Sequence, residues 1–496
     1  MYRRSPLLIF FTIVVLFSIT TLGSFSLVLK APALVFRLTS VLLHMEEVVA
    51  LGYAYIDDLR QPFLLGLPFN SSKTICLIYD LDYDSTAVSA VPLNDGILLL
   101  GRVHIPGRET DMLLMKIRGN GSPVWCMTYG GTGFDSAVDA INLGNSTLII
   151  GYSYSFSTLG DADLVLLRID DQGNFVDCLV LGTRAYDDIA KAIYRLSDGS
   201  ILIIGNTWSH NVSLSDILVV KLDEELNIQW SYSYGGASYE GVCSAIEIEK
   251  SILLVGVSKS FPMGGNDGFL LEIDFRGNPK YLRGFGGEGN DGFSKIYYSG
   301  DKLLVLGYTT LRGVYDTVFI EFNRYYEPKR AYLLAGERDK VALSVLSTER
   351  GDLSAIKISG ITPSDILAVI SIPQNTGKTW ARILSFEGEQ DINLELLKIE
   401  HIEELLISSE WTFKSQDLHI RRVKPHKLSL SVLPRPVKVV VFDINIPVGT
   451  LTRTRDWVRE LLKVLKNNIP LLILASILLV PAITLIVAWL RSKPKR

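Results

Sequence analysis

The chain has 496 residues, of which 48% are hydrophobic, and its 49 basic and 53 acidic side chains give a net charge of −4. This balance of charge lacks the basic footprint of a nucleic-acid-binding protein, so we expect no nucleic-acid partner. With four cysteines in a chain of this length, disulfide bonds are excluded as the main source of stability.

The first 30 residues have the pattern of a secretory signal peptide or signal anchor. Arg3 and Arg4 precede the apolar run LLIFFTIVVLFSITTL at 7–22. No clear cleavage site follows, so two outcomes stay open: the segment is removed, or it remains as a second membrane anchor.

An internal repeat fills residues 31–433. Short apolar runs end in a glycine about every 50 residues. Each run is followed by a second apolar run that begins with aspartate, by a turn such as DDQGN at 170–174, and by a third strand. The unit closes on a joint such as YGGTGFDSAVDAI at 129–141. Each repeat is therefore predicted to contain four short strands. The glycines are Gly52, Gly101, Gly151, Gly205, Gly256, Gly307 and Gly360.

Four antiparallel strands at this period are typical of a β-propeller blade. The fold class is therefore predicted to be all-β: one closed propeller of four-stranded blades, with long helices only at the termini. We count eight units, or seven if the first or last unit has another structure. The units are 37–79, 84–129, 135–181, 187–234, 241–285, 291–334, 340–385 and 391–433.

The YGG…D joint, the D-x-hydrophobic strand and the GN turn resemble the tandem propeller-repeat proteins of archaeal and bacterial cell surfaces. The resemblance covers residues 84–345 best. It implies a secreted or membrane-anchored surface scaffold. In that family the ligand is usually unassigned.

Two series of acidic residues recur at strand ends that should share one face of the disc. A ring of carboxylates could bind a cation, but Asp commonly accepts backbone N–H bonds in its own turn. Because the acids recur in nearly every blade, whereas a ligand site is normally local, we favour the structural role. The first series is Asp84, Asp135, Asp187, Glu240, Asp291, Asp339 and Asp391; the second is Asp111, Asp163, Asp216, Asp267, Asp316 and Asp365.

A less symmetric feature lies three residues after each repeat glycine, or after Ser408 in the eighth unit. Five consecutive units of a closed ring carry a ring side chain there, whereas the other three carry Lys259, Thr310 and Pro363. Such rings suit a sugar or a protein partner. The alternative is that they pack against the next blade. The predicted ligand-binding residues are Trp411, Tyr55, His104, Tyr154 and Trp208.

Neither the cysteines nor any catalytic motif in the sequence indicates a catalytic or metal site. Cys76, Cys126 and Cys178 fall at the same place in three consecutive fourth strands, too far apart for a disulfide, and Cys243 lies in a first strand. We therefore expect four free thiols. The sequence contains no HExxH, CxxC, GxSxG or Walker motif. We predict no catalytic residues, no metal site and no cofactor.

The C-terminal segments predict a membrane anchor. Residues 434–468 are predicted to form a connector and an amphipathic stalk, or a continuation of the membrane helix. Residues 469–490 lack charge and are long enough to span a bilayer, and the basic tail 491–496 predicts a cytosolic C-terminus. The propeller is therefore expected outside the cell. Candidate glycosylation sites agree with this location: Asn70, Asn120, Asn145 and Asn211.

These observations favour a non-catalytic binding protein of the cell envelope, whose partner is an envelope glycan or another protein. Two alternatives stay open. One is an extracellular polysaccharide hydrolase or lyase with its site in the propeller funnel. The other is a purely structural envelope module. Two carboxylates facing a common pocket would favour the hydrolase.

Overall fold

The computed structural model describes residues 35–449 except for 45–46, 69–74, 158, 184–185, 209–213, 262–263, 288, 300–301, 336–338, 349–350, 359–365, 372–376, 387–397, 402–411, 416–418, 423, 425, 431 and 437–438. The predicted signal segment, stalk and membrane helix therefore lie outside the described residues. Within the described ranges, no helix has the length and hydrophobicity needed to span a bilayer.

The structure confirms an all-β fold of repeated four-stranded antiparallel blades. Seven such units follow one another along the chain, and each strand pairs with the next one in sequence. Blades 1 to 4 contain β1 (Val35–His44), β2 (Glu47–Ile56), β3 (Leu59–Pro68), β4 (Ile75–Asp80), β5 (Ser85–Leu93), β6 (Gly96–Val103), β7 (Asp111–Arg118), β8 (Pro123–Gly130), β9 (Asp135–Asn142), β10 (Ser146–Ser153), β11 (Asp163–Asp170), β12 (Phe175–Gly182), β13 (Asp188–Arg195), β14 (Ile201–Thr207), β15 (Asp216–Leu222) and β16 (Ile228–Gly235). Blades 5 to 7 contain β17 (Glu240–Ile248), β18 (Ser251–Ser258), β19 (Asp267–Asp274), β20 (Pro279–Phe285), β21 (Asp291–Ser299), β22 (Lys302–Thr309), β23 (Asp316–Phe322), β24 (Pro328–Ala335), β25 (Lys340–Thr348), β26 (Gly351–Ile358), β27 (Ile366–Ser371) and β28 (Gly377–Phe386).

The repeat glycine is explained by a bulge in the first strand of each blade. In blade 2, the register of β5 against β6 shifts between Ala87 and Ser89, and Ala87 faces Gly101. A methyl group on Gly101 would overlap the backbone carbonyl oxygen of Thr86. Glycine is required because only a residue without Cβ allows this approach. The same shift recurs in the other blades, so the sequence period is the period of the bulges.

The seventh blade departs from this pattern. Its bulge places Ala342 opposite Ile356, not opposite a glycine. Gly360, which the sequence pattern assigned to this position, lies four residues further along and outside the described residues.

The hydrophobic core lies between blades. One cluster combines Leu51 and Tyr79 of blade 1 with Leu99 and Leu113 of blade 2, and all four side chains are buried. The second and third strands contact both neighbouring blades, so β7 is buried on both of its faces along nearly its whole length. This explains the continuous apolar runs that the sequence shows, because a strand covered on two faces needs no polar alternation.

The joint motif connects neighbouring blades through its tyrosine. Tyr234 donates a hydrogen bond from its hydroxyl to the backbone oxygen of Gly277, 2.6 Å away in the DFRGN turn of the next blade. Tyr129 makes the same bond to Gly173 in the DDQGN turn. The tyrosine of the YGG joint and the glycine of the GN turn therefore form one contact between neighbouring blades.

A segment absent from the predicted plan pairs with the outer edges of the blades. We name its six strands the perimeter strands. Five of them pair antiparallel with the last strands of blades 6, 4, 3, 2 and 1 in turn, and the sixth pairs with β28 of blade 7 and runs parallel to the first. They are β29 (Lys398–His401), β30 (Thr412–Ser415), β31 (His419–Arg422), β32 (His426–Ser429), β33 (Leu433–Pro436) and β34 (Val439–Gly449).

The preference for eight units is therefore corrected. The described part of 391–433 forms no four-stranded sheet and instead supplies perimeter strands β29 to β33. The physical reason is that an outer strand leaves one row of backbone N–H and C=O groups unpaired, and a passing segment of only four residues is sufficient to pair part of it. Short alternating segments of this kind resemble degenerate blade strands in the sequence.

We expect Gly101→Ala to lower Tm strongly, because the added methyl group would overlap the Thr86 carbonyl oxygen and neither backbone can move without disrupting the bulge. The loss should be at least about 2 kcal/mol. The matched control is Gly119→Ala in a turn, where nothing lies within 4 Å of the added methyl group. Thermal unfolding measures both variants. Equal Tm values for the two variants would contradict this explanation of the repeat.

Candidate functional site

Residues of all seven blades line one cavity of about 400 Å³. Each blade contributes residues from its first strand, and no other strand lines it. These residues occupy the bulge and the positions just after it, so the bulge that fixes the repeat also shapes the cavity wall. Hydroxyl groups recur around the wall: Ser40, Ser89, Ser244 and Ser344.

One carboxyl group is among the lining residues. Asp139 accepts a hydrogen bond at Oδ2 from the backbone N–H of Ile193, 3.1 Å away in the next blade. Burial raises the pKa of Asp139 to about 6, an effect that this bond and the nearby Lys295 partly offset. Tyr194 plays a similar bridging role, since its hydroxyl accepts the backbone N–H of Ala245 at 3.0 Å. Both side chains therefore connect successive blades inside the cavity.

Two lysines give the cavity a positive charge. Lys191 and Lys295 line the wall and are exposed. No ion pair to either ammonium group is found in the part of the chain that the structure describes. With Asp139 as the single acid in the lining, a bound anion would meet two ammonium groups and several hydroxyls.

The second candidate surface is the joint face, where the second strand of each blade ends. The predicted ring positions are structurally equivalent there. The backbone N–H groups of His104, Tyr154 and Trp208 each donate to the backbone oxygen of the residue just before the first strand of the same blade, at 2.8–3.0 Å. Trp411, the fifth predicted residue, lies outside the described residues.

The ring side chains on this face differ in exposure. Tyr55 is 41% exposed and touches Tyr53 edge-on, with ring centroids 5.7 Å apart. His104 is exposed, and its Nδ1 contacts the backbone oxygen of Glu109. Tyr154 and Trp208 are half-buried. The structure thus leaves both the ligand-binding role and the packing role of the rings available.

Tyr154 makes the firmest contact to the next blade. Its hydroxyl donates to Asp187 Oδ2 at 3.2 Å, and its ring meets Phe134 edge-on at 6.4 Å. Burial, followed by the nearby Asp187 carboxylate, raises the pKa of Tyr154 to about 12. Tyr154 is therefore held in place, whereas Tyr55 presents more of its ring to solvent.

The first acidic series has the structural role that was expected, acceptance of backbone N–H bonds. Asp135 and Glu240 are buried, and each accepts the backbone N–H of the joint residue four positions earlier, at 2.7 and 2.9 Å. The second series begins the third strands as predicted, and Asp365 lies outside the described residues.

Three members of the first series are corrected by one position. The first strands of blades 2, 4 and 7 begin at Ser85, Asp188 and Lys340, each one residue after the predicted acid. The predicted residues Asp84, Asp187 and Asp339 instead accept backbone N–H groups of Arg60, Ala162 and Tyr315 at 2.9–3.0 Å. In blade 4 the offset arises because Asp187 and Asp188 are both acidic and a sequence pattern cannot separate them; in blades 2 and 7 the strand begins with Ser85 and Lys340, which are not acidic. Asp391 lies outside the described residues.

The remaining predictions concern cysteines and sequons. All four cysteines are free, as predicted, and burial raises the pKa of the thiols of Cys76, Cys126 and Cys178 to about 12. Asn120 and Asn145 are exposed in turns between strands, and Asn70 and Asn211 lie outside the described residues.

Comparison with known proteins assigns no family to the chain. No protein-family model and no curated protein matches the chain. Among solved structures, the chain is similar to the crystal structure of Sqt1 from Chaetomium thermophilum, with 9% identity and a TM-score of 0.38, over 65% of this chain and 93% of that one. A likeness this distant carries no argument about function.

Proposed function

We propose that the chain is a membrane-anchored seven-bladed propeller, located outside the cell, that binds a ligand without catalysis. The observation that carries the proposal is the cavity that the first strand of every blade lines. A fold that brings seven equivalent strands to one cavity offers a binding site whose wall can vary without loss of the scaffold.

Closure of the ring is part of this proposal. It is supported by the contact between β1 of the first blade and β25 of the seventh. The perimeter strands support it too, because they reach blade 1 and then continue to blade 7. Closure by a passing segment would replace the exchange of a strand between the first and last blades.

The cavity favours binding over hydrolysis. A glycosidase needs two carboxyl groups, about 5–10 Å apart, that face the substrate. Asp139 is the single acid among the lining residues that the structure describes. The acids that begin first strands are used at the joints, and Glu247 accepts hydrogen bonds from Ser197, so none of them lines this wall.

The lining also indicates a ligand class. Lys191 and Lys295 favour an anion, and the surrounding hydroxyls favour a ligand that has hydrogen-bonding groups of its own. The volume of about 400 Å³ lies at the small end of ligand cavities. An acidic monosaccharide, such as the end of an envelope glycan, fits these three requirements.

The ring side chains of the joint face extend the proposal to larger partners. The exposed ring of Tyr55 and the half-buried ring of Trp208 supply apolar area with a polar edge, which suits neutral sugar rings or a protein surface. If both surfaces act together, a glycan chain would place its acidic end in the cavity and its neighbouring sugars on the joint face.

The cavity is tested with glucuronate as ligand and the full-length protein in detergent. We expect Lys191→Gln with Lys295→Gln to weaken binding at least tenfold in calorimetry, because each ammonium group contributes charge to a partly enclosed site. Glucose should bind weakly to both proteins. The control is Lys250→Gln, an exposed turn lysine. Unchanged glucuronate affinity in the double variant would remove the cavity from the proposal.

The joint face is tested with a glycan array and with pull-down of envelope components. If the Trp208 ring contacts a ligand, we expect Trp208→Ala to reduce the capture of glycans or envelope components while Tm stays near the wild-type value. Tyr325→Ala, which removes a 63% exposed ring from a turn between third and fourth strands, is the control. A large loss of Tm without loss of capture would assign Trp208 to packing between blades.

The orientation is tested by protease treatment of intact cells. We expect the blades to be removed and an epitope after Arg496 to stay protected, because the basic tail should lie in the cytosol. Surface labelling of that epitope on intact cells would reverse the orientation. N-terminal sequencing of the mature protein decides whether residues 7–22 remain.

A further inference from the structure

Two carboxyl groups meet at each of four blade joints. In the joint between blades 2 and 3, a methyl group on Gly130 would overlap Asp111 Oδ1 and lie 2.6 Å from Asp135 Oδ2. In the joint between blades 5 and 6, a methyl group on Gly286 would overlap Asp267 Oδ1 and lie 3.1 Å from Asp291 Oδ2. One acid begins the third strand of a blade, and the other begins the first strand of the next. We call these carboxyl pairs; they are Asp111 with Asp135, Asp163 with Asp188, Asp216 with Glu240, and Asp267 with Asp291.

Six of the eight acids in the carboxyl pairs are buried, whereas Asp216 and Asp291 are half-buried. Asp135 receives bonds from Ser153, Ser155 and the backbone N–H of Gly131. Asp267 has no exposed surface, and neither of its oxygens has a hydrogen-bond donor among the described residues. A buried carboxylate without donors is costly, and a second carboxylate beside it makes full ionisation more costly still.

The four carboxyl pairs differ in the groups that lie beside them. Arg108 lies 3.0 Å from Asp111 Oδ2, and His426 is also close enough to act on Asp111. At the joint of Asp267 and Asp291 the neighbouring groups are Thr309, the Gly287 N–H and the two acids themselves. Asp188 and Glu240 accept hydrogen bonds from hydroxyl and backbone N–H groups. The pair of Asp267 and Asp291 is therefore the clearest case.

Two further joints in the chain show what replaces a carboxyl pair. Between blades 6 and 7, Asp316 retains the first position, but Lys340 takes the second, and their charged atoms are 3.0 Å apart with both side chains buried. Between blades 1 and 2, the strand register places Gln61 and Ser85 at the two positions, and both are buried. One joint is an ion pair and the other is neutral, so in neither do two negative charges meet.

We propose that the carboxyl pair of Asp267 and Asp291 is a proton-binding site, in which one proton is shared between the two carboxyl groups and holds blades 5 and 6 together. The shared proton gives the joint one negative charge and one additional hydrogen bond. Loss of that proton leaves two carboxylates, one of them the fully buried Asp267, that repel each other across the joint. The contact between blades is thus sensitive to external pH.

The direction of the pH dependence follows from the raised pKa values. Burial, followed by the neighbouring Asp291, raises the pKa of Asp267 to about 6; burial, with a smaller effect of Asp163, raises that of Asp188 to about 6. An unfolded aspartate has a pKa of about 3.9. The stability that these groups provide is fully present below about pH 4 and is lost as pH rises through about 6. We expect Tm to fall over this interval and to level off above it.

The decisive variant is Asp267→Asn, measured in the full-length protein in detergent. The amide has the shape of the protonated acid and can donate an N–H to Asp291 at any pH. We expect its Tm to exceed that of the wild type by about 2–4 °C near pH 8 and to match it near pH 4. The control is Asp171→Asn, which neutralises an exposed turn aspartate. A wild-type Tm that does not fall between about pH 4 and 8, or an Asp267→Asn variant less stable than the wild type near pH 8, would overturn the proposal.

Two further measurements keep the test open if the variant does not fold. Infrared difference spectra of the wild type should show the C=O stretch of protonated carboxyl groups being lost as pH rises from about 5 to 7.5. Absence of that band change would reject the shared proton.

Calcium is the second probe, since a metal ion could neutralise a carboxyl pair instead of a proton. The described residues contain no group of three or more His, Cys, Asp or Glu side chains placed to hold a metal ion. We expect calcium to leave the Tm of the wild type near pH 8 unchanged, and a rise that Asp267→Asn abolishes would replace the proton with a metal ion.

Discussion

The narrow junction between successive blades is the contact on which the rest of the molecule depends. At four junctions a glycine leaves room for acidic side chains that begin strands, as Gly130 does for Asp111 and Asp135. Beside it, a tyrosine such as Tyr234 bonds the turn of the following blade. A single blade cannot bury its apolar faces, so stability arises from these interfaces and their apolar clusters, and the array behaves as a chain of nearest-neighbour contacts.

Because the acids are used at the joints, they are not available for ligand recognition in the cavity. The carboxyl groups at the starts of first strands are occupied by backbone N–H groups or by each other, so they do not face the cavity. What remains for ligand recognition is Lys191, Lys295, the hydroxyl groups of the wall and the rings on the joint face. This division explains why an all-β scaffold with many acids offers a basic cavity, and it agrees better with binding than with acid–base catalysis.

The perimeter strands relate the blades to the predicted membrane anchor. They pair with the outer edges of blades 6, 4, 3, 2, 1 and 7 in chain order, and the last of them ends at Gly449, before the predicted stalk. Because they cover edge strands, they also reduce the exposure of unpaired backbone groups to other chains. A load on the anchor would therefore be distributed over several blade edges and not carried by one linker.

The sequence by itself determined the repeated unit, its four strands and the acids that begin the third strands, because each depends on local chemistry: apolar runs, turn residues and a glycine that no other residue replaces. It also determined that the cysteines are free, since equivalent positions in different blades cannot come together. Tertiary structure decided the number of blades, because Lys398–His401 and the strands after it pair with edges that are distant in sequence and carry no signal of their own. It also decided which of two adjacent acids, such as Asp187 and Asp188, enters a joint and which binds a neighbouring loop. The charge of the cavity was invisible in the sequence for the same reason: Lys191 and Lys295 are about a hundred residues apart, and only the bulged first strands of different blades bring them to one wall.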